Sequence, residues 1–554
     1  MRKPYQLITV LLFIFTRQIS ADPLAGLYTI GGVNSNYPTI GAAVDDLHAN
    51  GISAPVTFGI HNGTYNEQIT IGNFTRTGNA DDLVTFRKLI HTTVNWEFSE
   101  QAVDNNWVLR LDGAQYITVS GIIFNAVTPI FSTLIKLDGD TSNNTILDCD
   151  FNGNLSSGSL IVLPVSKNNR NLIFRNNSFI RGNAGIAFGT LNNGTFPTGV
   201  EILDNTFTSQ SRYAIVLSTD GALIKGNNIF ATTISSPDYQ GLLIRDSTVV
   251  IENNIIHMTK GTLAMSLSRL LNNLQQGARI VNNMITLRLG PISKGIFVDL
   301  KKASIYHNTV RSDISIAPAL HVDAGTQSVR IHNNLFINDA GGLTMQIDNR
   351  NSITSSNHNN LYTTGNTVAQ LAGQDYATLS NYSDVSGLDL DSTSVAVTFI
   401  DITGINNLHL SSPSINDESL LATRQISVDV DIDGDIRSLG SVGMQVTFKG
   451  ADEGNIPNIV TYSVGGTITG LNNPDDLVMS MNNNYDFNIS TINEFSFTQE
   501  LLDHNHYDVT IESEPPNKIC TLINSSGSIN GLDIQNIEVT CLNETDIIFE
   551  NSFE

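Results

Sequence analysis

Three aspartates hold matching positions in successive sequence repeats: Asp299 ends Ile296-Phe297-Val298-Asp299, Asp323 ends Leu320-His321-Val322-Asp323, and Asp348 ends Met345-Gln346-Ile347-Asp348. If these repeats stack as strands, neighbouring carboxylates stand about 5 Å apart, which is unfavourable unless a cation or a proton intervenes. Phe297, His321 and Gln346 lie two residues earlier, and Arg245 takes the aspartate position two repeats below Asp299. Two chemistries suit this set. A polysaccharide lyase acidifies the proton beside a uronate carboxylate and then removes it, so calcium on the Asp strip with Arg245 or His321 would serve. A glycoside hydrolase uses paired carboxylates as acid and base or nucleophile. The plain alternative is a solvated strip where each Asp opens a turn and Lys301, Lys302, Arg330 or Arg350 neutralises it.

A second acidic set, Asp429, Asp431 and Asp433 followed by Gly434 and Asp435, has the alternating carboxylates and the glycine that begin a calcium loop. The twelfth position is Gly440 where an EF-hand requires glutamate, so an EF-hand is excluded. The competing reading is a closing turn in which Arg437 balances the acids. Trp96 and Trp107 have rings able to stack on sugars, but both precede the first clear repeat and are expected to fill a cap.

The element that must position these groups is a repeat. An aliphatic residue, two variable positions, a usually polar pivot, one more position and a bulky apolar residue recur ten times between residues 119 and 362. The pivots fall at 122, 149, 177, 205, 227, 254, 283, 308, 334 and 360, at steps of 22 to 29 residues. Such a period marks a solenoid. Short runs of Ile, Val, Phe and Thr broken by Asn and Gly favour strands over helical hairpins. About ten residues past each pivot comes a second short alternating strand, whose first and third residues face inward and second and fourth outward. The pivot asparagines are expected to bond above and below as a ladder at a bend, where Asn also accepts left-handed backbone angles. Phe124, Phe151, Phe179 and Phe207 are expected to stack inside. A helix over residues 39–50, with Ile40, Ala43, Val44 and Leu47 on one face, is expected to cap the first coil.

Arg2, Lys3, the apolar run Leu7 to Phe15 and Ile19-Ser20-Ala21 form an export signal with cleavage after Ala21. No later apolar run reaches the roughly 20 residues of a membrane span. A net charge of -24 excludes nucleic acid as a partner, because its binding depends on neutralising phosphates with Lys and Arg. In an exported chain Cys520 and Cys541 are expected to pair, and Cys149, at a pivot, is expected to be a buried free thiol.

Tyr37-Pro38-Thr39-Ile40-x-x-Ala43-Val44, followed by Gly63-Thr64-Tyr65-Asn66-Glu67-Gln68-Ile69-Thr70-Ile71, resembles the opening of secreted proteins of the pectin-lyase-like right-handed parallel β-helix superfamily. Leu408-His409-Leu410, Ser412-Pro413-Ser414-Ile415, Asp431 to Arg437 and Gly450-Ala451-Asp452-Glu453 resemble the closing coils of the same bacterial proteins. The resemblance spans roughly residues 24 to 455 and implies a right-handed coil whose enzymes carry their catalytic groups on the outward side of one sheet. It carries no assigned chemistry here. Gln101 to Asp104 and Asp150-Phe151 copy only fragments of the methylesterase site, out of register, and the polygalacturonase set is missing.

The expected architecture is all-β: signal peptide 1–21, N-terminal cap and first coils 22–115, right-handed parallel β-helix and closing coils 116–456, a small β-sandwich 458–543, and an acidic, aromatic tail 544–554. The expected function is a secreted or cell-surface protein that binds carbohydrate or adheres. The runner-up is a lyase or hydrolase acting on an acidic polysaccharide through the Asp strip, and a structural spacer is third.

Overall fold

The computed structural model describes residues 22–543 apart from 99–104, 128–131, 155–159, 165–168, 189–196, 232–236, 246–247, 270–276, 289, 401–406, 426, 438–445, 455–458, 472–476, 484 and 490–492. The expected export signal, the tail, Gly440 and the Gln101 to Asp104 fragment lie outside the described residues. Three stacks of strands run the length of the repeats. The first sheet has 13 strands, the second 13 and the third 12. One coil visits each in turn: Lys302–Tyr306 in the first, Thr309–Ser312 in the third, Leu320–Val322 in the second. Neighbouring coils pair in parallel, as between Leu320–Val322 and Met345–Ile347, and only the final pair of the second sheet is antiparallel.

The bend between first and third sheets holds the coil together. Asn254 shows the pattern: its Oδ1 accepts the backbone N–H and the side-chain amide of Asn227. Its own Nδ2 donates to Ile224 O, to Glu252 O and to Asn283 Oδ1. The ladder runs from Asn177 through 205, 227, 254, 283, 308 and 334 to Asn359. Two details correct the sequence reading. The left-handed residue is the one before the pivot, at Asn176, Asp204, Asn253, Asn282, His307, Asn333 and His358, with Gly121 and Gly226 in the same place. The last pivot is Asn359 rather than Asn360, because Ser356 pairs with Ile331 and the pivot follows three residues later; the strand Ile353–Asn357 is bulged where Val329 pairs with Ile353 but Arg330 with Ser355.

Phe124, Phe151, Phe179 and Phe207 form the expected interior stack and Trp96 extends it, with ring centroids 4.8 to 5.4 Å apart. The helix Ile40–Asn50 buries Ile40, Ala43, Val44 and Leu47 in the solenoid core. Thr39 caps it, and Glu67 accepts the N–H groups of Ile40 and Gly41, placing a carboxylate at the positive helix end.

After residue 378 the chain forms a short helix, Leu379–Ser386, and then folds back over the outside of the third sheet. Phe399, Leu408, Leu410, Leu420, Leu421, Val446 and Phe448 pack there on Met284, Leu335 and Ile337. Beyond it, strands of two four-stranded sheets share a separate core of Val464, Ile468, Met479, Met481, Phe495, Val509, Ile537 and Val539. Cys520 and Cys541 are directly opposed in one of these sheets and form a disulfide.

Candidate functional site

Register places the acidic strip. Val298 pairs with Val322 and Val322 with Ile347, and all three are fully buried in one interior file. Because alternate side chains reverse direction, Phe297, His321 and Gln346 point outward in a second file, and Asp299, Asp323 and Asp348 follow in a third. Arg245 pairs with Ser268, so Ser268 stands between Arg245 and Asp299 along that third file.

Each carboxylate has its own partner, which is how three neighbouring acids are tolerated. Arg269 donates from Nε and Nη2 to Asp299 Oδ1 at 2.8 and 2.5 Å. Asp323 Oδ1 accepts the N–H of Gly325 at 2.9 Å and so begins a turn. A Cβ at Gly325 would lie 2.1 Å from Arg269 Nη2 and 3.0 Å from Asp299 Oδ1, so the turn lies directly on that ion pair. Asp348 receives His321 Nε2 on Oδ2 and Gln346 Nε2 on Oδ1, both at 2.9 Å. The Phe297 ring meets His321 edge-on at 5.3 Å, and Lys294 Nζ stands 5.3 Å from its centroid. Arg269 is the residue that sequence reasoning missed; Arg350, one of the expected neutralisers, donates instead to Ser386 O and Ile353 O.

The rest of the outward face changes character along its length. Ala187, Val216 and Leu243 form an apolar, buried stretch. Further toward the N-terminus, Trp107 is half-exposed with Lys136 Nζ 4.7 Å from its ring, while Arg110 bridges Asp112 and Asp138. Neither tryptophan takes the expected place in the cap: Trp107 belongs to this face, and Trp96 stacks on Phe124 in the solenoid interior.

The second acidic set is dispersed by its contacts. Asp431 is buried, its Oδ1 accepting the N–H groups of Asp433, Gly434 and Asp435 and its Oδ2 that of Glu453. Asp429 pairs with Arg424, and Asp433 Oδ2 lies 2.6 Å from His409 Nε2. Arg437 is buried and binds Glu453 Oε2, Gly450 O and Asn282 Oδ1, fastening the returning segment to a left-handed Asn of the solenoid. Cys149 is buried, and burial pushes its thiol up to about 12.

Two further groupings are contributed by distant stretches. Lys449 is buried and donates to Thr393 Oγ1 and Ser419 O, and burial drives its ammonium down to about 7. Between the end of the solenoid and the C-terminal sheets, a cavity of about 470 Å³ is lined by His332, His358, Asp391, His506 and Asp508. Burial holds His332 down at about 4.

Residues 62–230 match the family model described as the right handed beta helix region. No curated protein sequence matches. Among solved structures, pectate lyase Pel9A is similar at 15% identity and a TM-score of 0.41, over 79% of this chain and 98% of its own. XylC in complex with xylose is similar at 12% identity and 0.41, over 77% and 98%. PfbA, a surface adhesin of Streptococcus pneumoniae, is similar at 12% identity and 0.36, over 52% and 83%. Stacked parallel strands in three sheets, with an asparagine ladder at one bend, and the family match over the first coils together make this chain a right-handed parallel β-helix protein.

Proposed function

We propose that the protein is exported and holds a polysaccharide along the outward face of its second sheet, binding the polymer without cutting it. The observation that carries this reading is the half-exposed Phe297 ring set among Lys294, His321, Gln346, Asp348 and the Arg269–Asp299 pair, on consecutive coils about 4.8 Å apart. That spacing is close to the advance of one sugar unit in an extended glycan, so each coil presents hydrogen-bonding groups to a successive unit. The aromatic ring supplies an apolar surface for a sugar face, and the fixed Asp and His groups supply directional contacts. The disulfide in the C-terminal sheets suits an oxidising compartment. In this reading the β-helix ending near residue 456 carries the face, and residues 458–543 are an appended module.

A lyase is the second reading. Asp348 fixes the His321 ring through Nε2, and Nδ1, the nitrogen left to take a proton, is buried in this structure, so the base would have to be exposed by the bound polymer. One screen separates the two: purified protein against neutral and acidic polysaccharides with calcium, read both for retention and for the ultraviolet absorbance of unsaturated products. Binding predicts retention without product, reduced about tenfold or more in Phe297→Ala. Absorbing product that disappears in His321→Ala and Asp323→Ala would establish the lyase, and absence of retention on every polymer would end the binding reading.

A further inference from the structure

We propose that His409, Asp433 and Asp452 bind a divalent transition-metal cation of the zinc or manganese class, which ties together three stretches of the segment folded over the third sheet. One ligand atom from each residue lies within 4.8 Å of the other two. The hydrogen-bond pattern around His409 asks for a cation. The side-chain oxygen of Asn407 accepts the backbone N–H of His409 at 3.0 Å, which identifies that atom as the oxygen, and the same oxygen faces His409 Nδ1. An amide oxygen only accepts, so Nδ1 carries the hydrogen. In the neutral ring this leaves a lone pair on Nε2, which is 2.6 Å from Asp433 Oδ2, another atom that only accepts. At that distance a proton bridges the two atoms, and a metal bound to both would sit beside the line joining them with the pair opened to about 3 Å.

Asp452 decides in favour of the metal. It is only 8% exposed, and among the described residues it has no salt bridge to Lys or Arg. One oxygen accepts the N–H of Leu410 at 2.6 Å. A proton on His409 would set one positive charge against two carboxylates, one of them desolvated, whereas a divalent cation balances both. An imidazole with two carboxylates suits zinc or manganese; calcium prefers an all-oxygen shell. The orienting bond from Nδ1–H to Asn407 is the outer-shell contact that metal-binding histidines generally make. The ligands come from the strand-like stretch beside Ile400, from the turn organised by Asp431, and from the Gly450 to Glu453 stretch. This set keeps Asp433 from the calcium-like sequence but not Asp429 or Asp431, which serve Arg424 and backbone N–H groups.

The test uses the full chain stripped with a chelator, titrated with zinc, manganese and calcium by calorimetry and melted with and without each ion. The expected result is one equivalent of zinc or manganese bound, a melting temperature raised by several degrees, and affinity at least about tenfold weaker in Asp433→Asn. Asp433 is half-exposed at 54%, so that variant folds even if His409→Gln does not. Failure of the stripped protein to take up zinc or manganese overturns the proposal, as does equal uptake by Asp433→Asn. Calcium binding as tight as zinc overturns the assigned metal class.

Discussion

Each pivot asparagine does work that no other side chain of its size can do. Asn254 is fully buried and uses its oxygen as acceptor twice and its amide as donor three times, joining three coils through one side chain. Asn254→Ala takes away the interior partner of the Asn227 N–H and of Ile224 O, while Glu252 O keeps the N–H of Gly226, at a cost of about 1 to 3 kcal/mol for each group that loses its partner. We expect it to lower the melting temperature of the solenoid by several degrees, measured by circular dichroism, whereas Asn125→Ala, on a part-exposed ladder, should cost far less. A second residue-scale consequence follows from Lys449. Burial lowers its folded value to about 7 from an ordinary 10.5, and Asp389, Asp391 and Asp417 only partly oppose this. The unfolded chain therefore binds more protons between those values, so the contribution to stability is complete above about 10.5 and is lost as pH falls through about 7. Melting temperature measured from pH 7 to pH 10 should carry a rising component that Lys449→Met removes.

Elements were legible in proportion to how strictly a side chain's surroundings dictate its type. The file of Val298, Val322 and Ile347 must be apolar because it faces the interior, so period-two alternation revealed both it and the outward aspartates. The choice of the left-handed residue was not legible, because in Asn176-Asn177 or Asn282-Asn283 the turning residue and the ladder residue are the same type. The slip from Asn360 to Asn359 arises because Ser356, not an apolar residue, takes the buried position paired with Ile331, so the hydrophobic pattern loses its marker in that coil. Arg269 stands one residue past the strand Leu263–Ser268, where no periodicity extends, so its pairing with Asp299 could not be read. The set of His409, Asp433 and Asp452 was hidden for a different reason, since three separated stretches meet only when the chain returns over the third sheet. The element most open to test is the turn on the Arg269–Asp299 pair. In Gly325→Ala the new methyl must displace Arg269 Nη2, the mobile end of a long side chain, so the fold should survive while the ion pair is broken. Glycan retention should fall with an unchanged melting curve, and equal loss of both would mean that the turn is needed for folding instead.

At the scale of the whole molecule, two large apolar cores divide the work of stability, with the smaller cluster over the third sheet beside them. The solenoid core runs from Leu24 to Leu388 as one continuous cluster, while the C-terminal sheets have their own, containing Met479, Phe495, Val509 and both half-cystines. A stack of coils gains stability from each neighbour, but the C-terminal sheets are small, and small cores are marginal without a covalent link. Cys520 and Cys541 supply that link across a sequence separation of 21 residues, and a loop of this size is worth about 3 kcal/mol through the restricted unfolded chain. Calorimetry should therefore show more than one transition. A reductant, or the double substitution Cys520→Ser with Cys541→Ser, should lower only the transition assigned to the C-terminal sheets, and the circular dichroism of the solenoid should melt where it did before. The face proposed to bind polymer lies on coils around Phe297, far along the chain from either cysteine, so retention of polysaccharide should persist in the reduced protein. If reduction moved every transition together and abolished retention, the two cores would be one cooperative unit, and the appended sheets would be part of what holds the binding face in register.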